Sequence, residues 1–135
     1  MRLSIRVAVA SAVAAAVLTA GTMPAQAFTR YLEYGDSGQD VKCWQTAYNA
    51  WDNYSYATNK LTVDGVFGTN TRYATERFQY IYGDNGKYLT VDGIVGPATS
   101  QAMSDALQDV EAYGTSSQAQ QAHNAFVYCG TMLPG

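Results

Sequence analysis

The chain has 135 residues, of which 47% are hydrophobic and 14% are charged, so it has room for one domain of ordinary size. This length excludes a multidomain enzyme, and this composition excludes an intrinsically disordered protein. Eight Lys and Arg residues stand against eleven Asp and Glu residues. The sequence therefore lacks the basic surface that nucleic-acid binding requires, and we expect no nucleic-acid partner.

The first 27 residues have the pattern of a secretory signal peptide. Arg2 and Arg6 lie beside an apolar stretch at 7–20, and residues 25–27 read Ala-Gln-Ala, which is typical of a cleavage site. Because a membrane-spanning helix takes about 20 apolar residues, this stretch is too short to be an anchor. We expect residues 1–27 to be removed on export, which leaves an acidic mature chain that starts at Phe28 and has no membrane partner.

The first helix is predicted to start beside the segment Asp36-Ser37-Gly38. Ser37 and Gly38 are both suited to its N-cap, and the similar position of Gly96 before Pro97 favours Gly38. Apolar residues then recur at the spacing of a helix that packs against a core. They are Val41, Trp44, Ala47, Tyr48 and Trp51.

A repeat organises the middle of the chain. Residues 61–71 read Leu-Thr-Val-Asp-Gly-Val-Phe-Gly-Thr-Asn-Thr, and residues 89–99 read Leu-Thr-Val-Asp-Gly-Ile-Val-Gly-Pro-Ala-Thr. The copies lie 28 residues apart and agree at seven of eleven positions, which indicates one supersecondary unit used twice. Asp-Gly favours a turn, because Gly accepts a positive φ and the Asp side chain can bond the turning backbone. Each copy is predicted to be a turn that leads into a helix.

Periodicity after each repeat predicts the remaining helices. After the first copy, apolar positions continue at helical spacing, while Arg72, Glu76 and Arg77 are expected to face mostly outward. A similar stripe follows the second copy, and a shorter helix after a Gly-Thr-Ser-Ser break ends at Cys129. We therefore predict a mainly α fold, a small three-helix bundle with two Asp-Gly turn connections and a C-terminal helix.

The cysteine content predicts a disulfide. Cys43 and Cys129 are the only two cysteines, and an oxidising compartment after export allows them to pair. The bridge would tie the C-terminal segment to the first helix. A catalytic cysteine would instead need a nearby base, and the single histidine, His123, would occupy a different helical face from Cys129.

The residue types in this sequence do not predict a catalytic or metal site. One histidine and two cysteines are too few for a closed zinc site, and a zinc peptidase would want several histidines. The prominent carboxylates, Asp64 and Asp92, are explained by their Asp-Gly turns rather than by an acid–base pair. We expect no catalytic residues, no metal and no cofactor, and hence no enzyme.

Several spaced motifs resemble the type 1 peptidoglycan-binding domain family. They are residues 35–45, residues 63–68, the pair Phe78-Gln79 and residues 91–99, which occur in the family order. The resemblance covers roughly residues 32–103. It implies a three-helix fold and attachment of secreted proteins, often cell-wall hydrolases, to peptidoglycan.

The resemblance also divides the mature chain. It implies a peptidoglycan-binding-like domain at 28–112, followed by a C-terminal extension at 113–135 that the Cys43–Cys129 bridge would dock. The expected location is extracellular or associated with the cell wall, and the expected partner is peptidoglycan, through its glycan or its stem peptide.

The connections at 49–60 and 80–88 look longer than is usual in the family and are rich in Tyr, Asn and Gly. Tyrosine combines a flat apolar face with a hydroxyl group, which suits sugar rings and amides. Arg72 and Arg77 could receive a stem-peptide carboxylate, although a solvated helix face is the simpler interpretation. The predicted ligand-binding residues are Trp51, Asn53, Tyr54, Tyr56, Tyr80, Tyr82, Asn85 and Tyr88.

Two functional interpretations remain open at this point. The first is a secreted, non-catalytic module that binds peptidoglycan. The alternative is a secreted protein-interaction or inhibitor domain on the same fold, whose Tyr-rich loops recognise a secreted protein partner.

Overall fold

The computed structural model describes residues 31–130, so the predicted signal peptide lies outside the described residues. Four helices make up the fold: α1 (Gln39–Ser55), α2 (Thr69–Tyr82), α3 (Pro97–Tyr113) and α4 (Ser116–Cys129). α1 contacts each of the other three, and α4 packs against α1 and α3. The predicted mainly α fold, with a fourth helix joined by a disulfide, is confirmed.

The described chain forms isolated β-bridges rather than strands. One pairs Leu32 with Val95, and the other pairs Ser37 with Val66. They hold the segment before α1 against both repeat connections. No helix between residues 31 and 130 is long and apolar enough to cross a membrane.

Glycine precedes three of the four helices. Gly38, Gly68 and Gly96 are the N-cap residues of α1, α2 and α3, as the repeat predicts. α4 begins differently, because Thr115 and Gln118 form a reciprocal capping box. The first three helix starts therefore depend on the turn before them, and the fourth depends on its own side chains.

α1 continues four residues past Trp51, the last position of its predicted apolar stripe, and both α1 and α2 extend into the connections predicted at 49–60 and 80–88. Residues 49–55 belong to α1 and residues 80–82 to α2, so the interpretation of these residues as inserted loops is wrong. The extension of α1 is held by α4, where Gln118 Nε2 donates to the Asn53 carbonyl oxygen at 3.1 Å and Gln121 Oε1 accepts from Asn53 Nδ2 at 3.1 Å. The C-terminal helix thus supports the last turns of the first.

Aromatic rings fill the centre of the bundle. Phe78 of α2 lies edge-on to Trp44 and Trp51 of α1, with ring centroids 5.7 and 4.9 Å apart. Such arrangements add about 1 kcal/mol per pair to the area that the rings bury. The Trp44 indole N–H donates to Thr75 Oγ1 at 2.9 Å, so its polar atom is satisfied inside the core.

The first Asp-Gly corner is held by a glutamine of α1. Gln45 Nε2 donates to Asp64 Oδ1 at 2.9 Å and to the Val66 carbonyl at 3.1 Å, and Gln45 Oε1 accepts from the Gly65 N–H at 2.9 Å. Gln45 is buried, so these bonds form away from water. One side-chain amide therefore fixes both sides of the turn.

The second corner repeats this arrangement with a glutamine of α2. Gln79 Nε2 donates to Asp92 Oδ1 and to the Ile94 carbonyl, both at 2.9 Å. Gln79 Oε1 accepts from the Asp92 and Gly93 N–H groups at 3.1 and 2.9 Å. We call these two arrangements, Gln45 with residues 64–66 and Gln79 with residues 92–94, the glutamine clamps.

Glycine is required at both corners. Gly65 and Gly93 have φ values of 74° and 72°, which an L side chain adopts only with strain. A Cβ at Gly93 would also lie 2.9 Å from the Cγ atom of Arg72. The invariance of the Asp-Gly pair between the two copies thus has a steric cause.

The predicted disulfide is present. Cys43 of α1 and Cys129 of α4 are joined with their Cα atoms 5.2 Å apart, and both residues are buried. The bridge spans a sequence separation of 86. It attaches the last residue of α4 to the first half of α1.

Replacement of a clamp glutamine is expected to destabilise the fold. In Gln79→Ala the buried Gly93 N–H loses its acceptor, so we expect the free energy of unfolding in urea to fall by about 2 kcal/mol or more. Gln101→Ala is the control, because Gln101 is exposed on α3 and should change stability by less than about 0.5 kcal/mol. Equal stability of the two variants would contradict the importance of the clamp.

Loss of the disulfide should also lower stability. For the double variant Cys43→Ala/Cys129→Ala we expect a loss of about 2–5 kcal/mol, because the unfolded chain is freed from a long closed loop. Thermal unfolding measures it, with the wild-type protein under reducing conditions as the comparison. A double variant as stable as the oxidised wild type would show that the bridge has no stabilising role.

Candidate functional site

The main cleft of the described chain lies over the first Asp-Gly corner. It has a volume of about 600 Å³ and is bounded by α1, by α2 and by the connection between them at 56–68. Polar groups line much of it. They include Gln45, Tyr48, Asn59, Lys60, Thr62, Asp64, Thr69, Asn70, Thr71, Tyr73 and Arg77.

The connection that forms one wall of the cleft is anchored by Asn49. The Leu61 N–H donates to Asn49 Oδ1 at 2.7 Å, and Asn49 Nδ2 donates to the Leu61 carbonyl at 2.9 Å. This paired contact imitates the hydrogen bonding between two strands. It fixes residue 61 against α1 without regular secondary structure.

A second anchor is the buried carboxylate of Asp52. Asp52 Oδ2 accepts from the N–H groups of Thr58 and Asn59 at 3.1 and 3.0 Å, and Asp52 Oδ1 accepts from Arg77 Nη1 at 2.6 Å. Asp52 has no exposed surface, so its charge depends on these partners. The carboxylate therefore joins α1, α2 and the connection at one point.

Arg77 does not face outward as the sequence predicts. Its side chain is only 23% exposed, and Arg77 Nη1 also donates to the Tyr48 hydroxyl at 2.9 Å. The guanidinium lies over the Tyr56 ring, 4.9 Å from its centroid. The prediction failed because its partner, Asp52, is 25 residues away in sequence and is hidden at the end of α1.

Burial and the contacts between Arg77, Asp52 and Tyr48 shift the pKa values of Tyr48 and Arg77. Burial raises the pKa of the Tyr48 hydroxyl, and Arg77 only partly opposes this. Burial alone would lower the pKa of Arg77, but its hydrogen bonds to Asp52 and Tyr48 raise it overall. Both groups keep their ordinary protonation at neutral pH, and the ion pair is held as part of the structure.

Asp64 is exposed, lines the cleft and is held as an anion. Its pKa is lowered by the hydrogen bond from the Val66 N–H, and then by the bond from the Gln45 side chain. The carboxylate is thus engaged by the corner that it forms, as the turn interpretation predicts.

The rim of the cleft carries the groups that remain accessible. The Tyr73 ring is 63% exposed and presents a flat apolar face. Asn70 and Asn59 are also exposed and provide amide groups. Lys60 makes no ion pair with any residue between 31 and 130, so its ammonium group is available to a ligand.

None of the eight predicted ligand-binding residues lines the main cleft. Four of them meet instead at a smaller hollow, which they border together with residues of α3; they are Trp51, Tyr54, Tyr56 and Tyr82. The other four border neither space; they are Asn53, Tyr80, Asn85 and Tyr88.

The eight residues also differ in accessibility. Trp51 is 4% exposed and belongs to the core, and Tyr82 is partly buried and stacks on Phe78 with ring centroids 5.2 Å apart. Tyr80 and Tyr88 are exposed. Their role in ligand binding stays a prediction.

Sequence reasoning missed Tyr73, Lys60 and Asn70 as rim residues. Tyr73 lies between the buried positions Thr71 and Ala74 of α2, so its ring faces away from the core. A large aromatic residue off the buried face of the helix was the signal in the sequence that Tyr73 is exposed. Lys60 and Asn70 carry no such signal, because only the path of the connection brings them together.

Acid–base and metal-binding groups are sparse in the described region. Within residues 31–130, no three His, Cys, Asp or Glu side chains cluster closely enough to hold a metal ion. His123 is exposed on α4, with Nδ1 3.3 Å from Glu111 Oε1. The arrangement of the cleft is suited to holding a ligand through rings and hydrogen bonds.

The part of the chain that forms the main cleft is similar to known proteins. Residues 37–103 match a family model described as "Putative peptidoglycan binding domain". A zinc D-Ala-D-Ala carboxypeptidase from Streptomyces albus G is 40% identical over 68 residues, which are 50% of this chain and 24% of that protein. The chain thus spans about a quarter of the length of this curated relative.

A solved structure, the N-terminal domain of SleB, is 32% identical to this chain with a TM-score of 0.47. The match covers 57% of this chain and 92% of that domain. The segment that matches the family model, residues 37–103, contains both glutamine clamps and every residue that lines the main cleft. From the match to the family model, we conclude that residues 37–103 of the chain belong to the peptidoglycan-binding domain family.

Proposed function

We propose that this protein is a secreted, non-catalytic module that binds bacterial cell-wall peptidoglycan in the main cleft. Family membership supports the ligand class. The observation that carries the site is a preformed cleft of about 600 Å³ whose accessible rim includes an aromatic ring, amides and one cation. The expected location is outside the cell or on the wall.

The rim groups match the chemistry of peptidoglycan. The exposed face of Tyr73 suits the C–H groups of a sugar ring, and the amides of Asn59 and Asn70 suit its acetamido and hydroxyl groups. Lys60 lies on the same rim and suits a stem-peptide carboxylate. The ligand would therefore be held by stacking and hydrogen bonds, with one charged contact.

The rigidity of the cleft favours binding. Its connecting wall is fixed to α1 through Asn49 and Asp52 before any ligand arrives. Ordering a mobile segment on binding costs free energy, and a fixed wall avoids this cost. Weak individual contacts can then give useful affinity.

The carboxylates of the cleft support a non-catalytic role. Hydrolysis of a glycosidic bond needs an acid and a base at the scissile bond. Asp52 is buried and paired with Arg77, and Asp64 is bonded to its own turn and to Gln45. Asp52 therefore holds the connecting wall of the cleft, and Asp64 holds the first corner. The similarity to a carboxypeptidase concerns a quarter of that protein and does not extend its activity to this chain.

The site is tested by replacing the rim tyrosine. We expect Tyr73→Ala to weaken binding to purified, protein-stripped peptidoglycan about threefold to tenfold, because an aromatic contact is lost. Tyr113→Ala is the matched control, since Tyr113 is 77% exposed at the end of α3 and lines neither the cleft nor the hollow. Co-sedimentation with sacculi gives both affinities, and higher salt should weaken binding only slightly.

Three outcomes would contradict parts of this proposal. If the wild-type protein stays in the supernatant and a protein from the culture medium is captured instead, the interaction-domain interpretation replaces wall binding. If Tyr73→Ala binds as tightly as Tyr113→Ala, the cleft is not the site. Release of muropeptides from the sacculi would refute the non-catalytic role.

A further inference from the structure

A second hollow lies where α1 and α2 end against the middle of α3. Its volume is about 260 Å³, and its walls are largely aromatic. α1 and the residue after it provide Trp51, Tyr54 and Tyr56, α2 provides Tyr82, and α3 provides Asp109. One carboxylate thus lies at the edge of a group of aromatic rings.

Asp109 is available to a ligand. Its side chain is exposed and makes no hydrogen bond or ion pair with any residue between 31 and 130. Asp105 lies one helical turn earlier and accepts from Gln101 Nε2 at 2.9 Å. The α3 wall of the hollow therefore carries net negative charge.

The helix ends strengthen this negative potential. α1 and α2 both terminate at the hollow, and the C-terminal end of a helix carries partial negative charge. Neither helix has a basic residue in its last turn. The pKa of Tyr82 responds to the same field, because burial raises it first and the charges of Asp109 and Asp105 raise it further.

Arg77, which lies against two rings of the hollow, does not neutralise it. Arg77 lies 5.8 Å from the Trp51 ring centroid and 4.9 Å from that of Tyr56, but its charge is balanced by Asp52. This contact shows that the rings at the end of α1 already accept one cation. The Tyr54, Tyr82 and Asp109 side of the hollow has no cation of its own among the described residues.

The internal repeat explains why the two spaces differ in charge. Tyr48 follows Gln45 by three residues, and Tyr82 follows Gln79 by three, so the two tyrosines occupy matching places. Across the 28-residue repeat, however, the position of Arg77 is taken by Asp105. The first half therefore places the cation Arg77 beside Tyr48, and the second half places the anion Asp105 near Tyr82.

We propose that this hollow is a second binding site, which takes a primary ammonium group carried by a peptidoglycan stem peptide. The ammonium group lies against the Tyr54 and Tyr82 rings and pairs with Asp109. This inference rests on the proposed function, since it assigns a second part of the same ligand. A carboxylate would be repelled by Asp109, and a neutral sugar would leave this negative potential unused.

The ammonium group is tested by chemical acetylation of the wall. Acetic anhydride converts the free amines of purified sacculi to uncharged amides. We expect wild-type affinity to fall about threefold to tenfold on acetylated sacculi, as a cation–π contact and an exposed ion pair are lost together. Asp109→Asn should bind native sacculi that much more weakly than wild type, with no further loss after acetylation.

The control variant is Glu111→Gln. It removes the same charge from the same helix, and Glu111 lies outside the hollow and faces His123. It should behave as the wild type on both kinds of sacculi. Equal affinity of the wild type for native and acetylated sacculi, or equal behaviour of Asp109→Asn and Glu111→Gln, would overturn the ammonium site.

Titration with a soluble amine distinguishes between an amine of the wall peptide and a free amine as the ligand of the hollow. Titration with cadaverine, followed by NMR, should shift the signals of Tyr82 only weakly, and less in Asp109→Asn than in the wild type. If cadaverine saturates the hollow fully and acetylated sacculi still bind as well as native ones, the ligand is a free amine and the wall-peptide proposal fails. If Tyr73→Ala weakens binding to both kinds of sacculi while acetylation has no effect, the main cleft stands and the hollow does not.

Discussion

Each Asp-Gly corner of this protein is fixed by one buried glutamine from the helix that precedes it. The Gln45 and Gln79 amides bond to the corner glycine, to the aspartate and to the carbonyl two residues after that aspartate. A buried amide that is fully bonded is stabilising, and the same amide with a missing partner is costly, so the arrangement tolerates little change. The start of the next helix is set by the corner, and the bundle geometry follows from two such steps.

The same constraint positions the two proposed binding sites. Because the first corner is fixed, the connection at 56–68 must pass over α1, where Asn49 and Asp52 hold it, and this path creates the main cleft. The N-terminal turn of α2 and Lys60 give that cleft a positive side. The ends of α1 and α2 and Asp109 give the hollow a negative side. A stem peptide carries both carboxylate and amine groups, so the two proposed sites, which have opposite polarity, would contact it at two points.

The sequence predicted what depends on local pattern and failed where distant residues meet. The helix starts, the paired turns and the disulfide followed from Gly38, from the two Asp-Gly copies and from two cysteines in an exported chain. The clamps were visible only as the repeated aromatic-glutamine pairs Trp44-Gln45 and Phe78-Gln79, whose partners lie 13–26 residues away. The extension of α1 was missed because its support, α4, comes more than 60 residues later. The tyrosine content predicted an aromatic surface but not which rings form it. In the fold Trp51 is buried, whereas Tyr73 is exposed.

The C-terminal extension therefore has a role beyond stability. The last turns of α1 supply Asp52, which anchors the wall of the main cleft, and Trp51 and Tyr54, which line the hollow. α4 holds those turns through the bonds of Gln118 and Gln121 to Asn53. α4 is in turn attached to α1 by the disulfide at its far end. The Cys43–Cys129 bridge thus helps to hold in place the helix that supports both proposed sites.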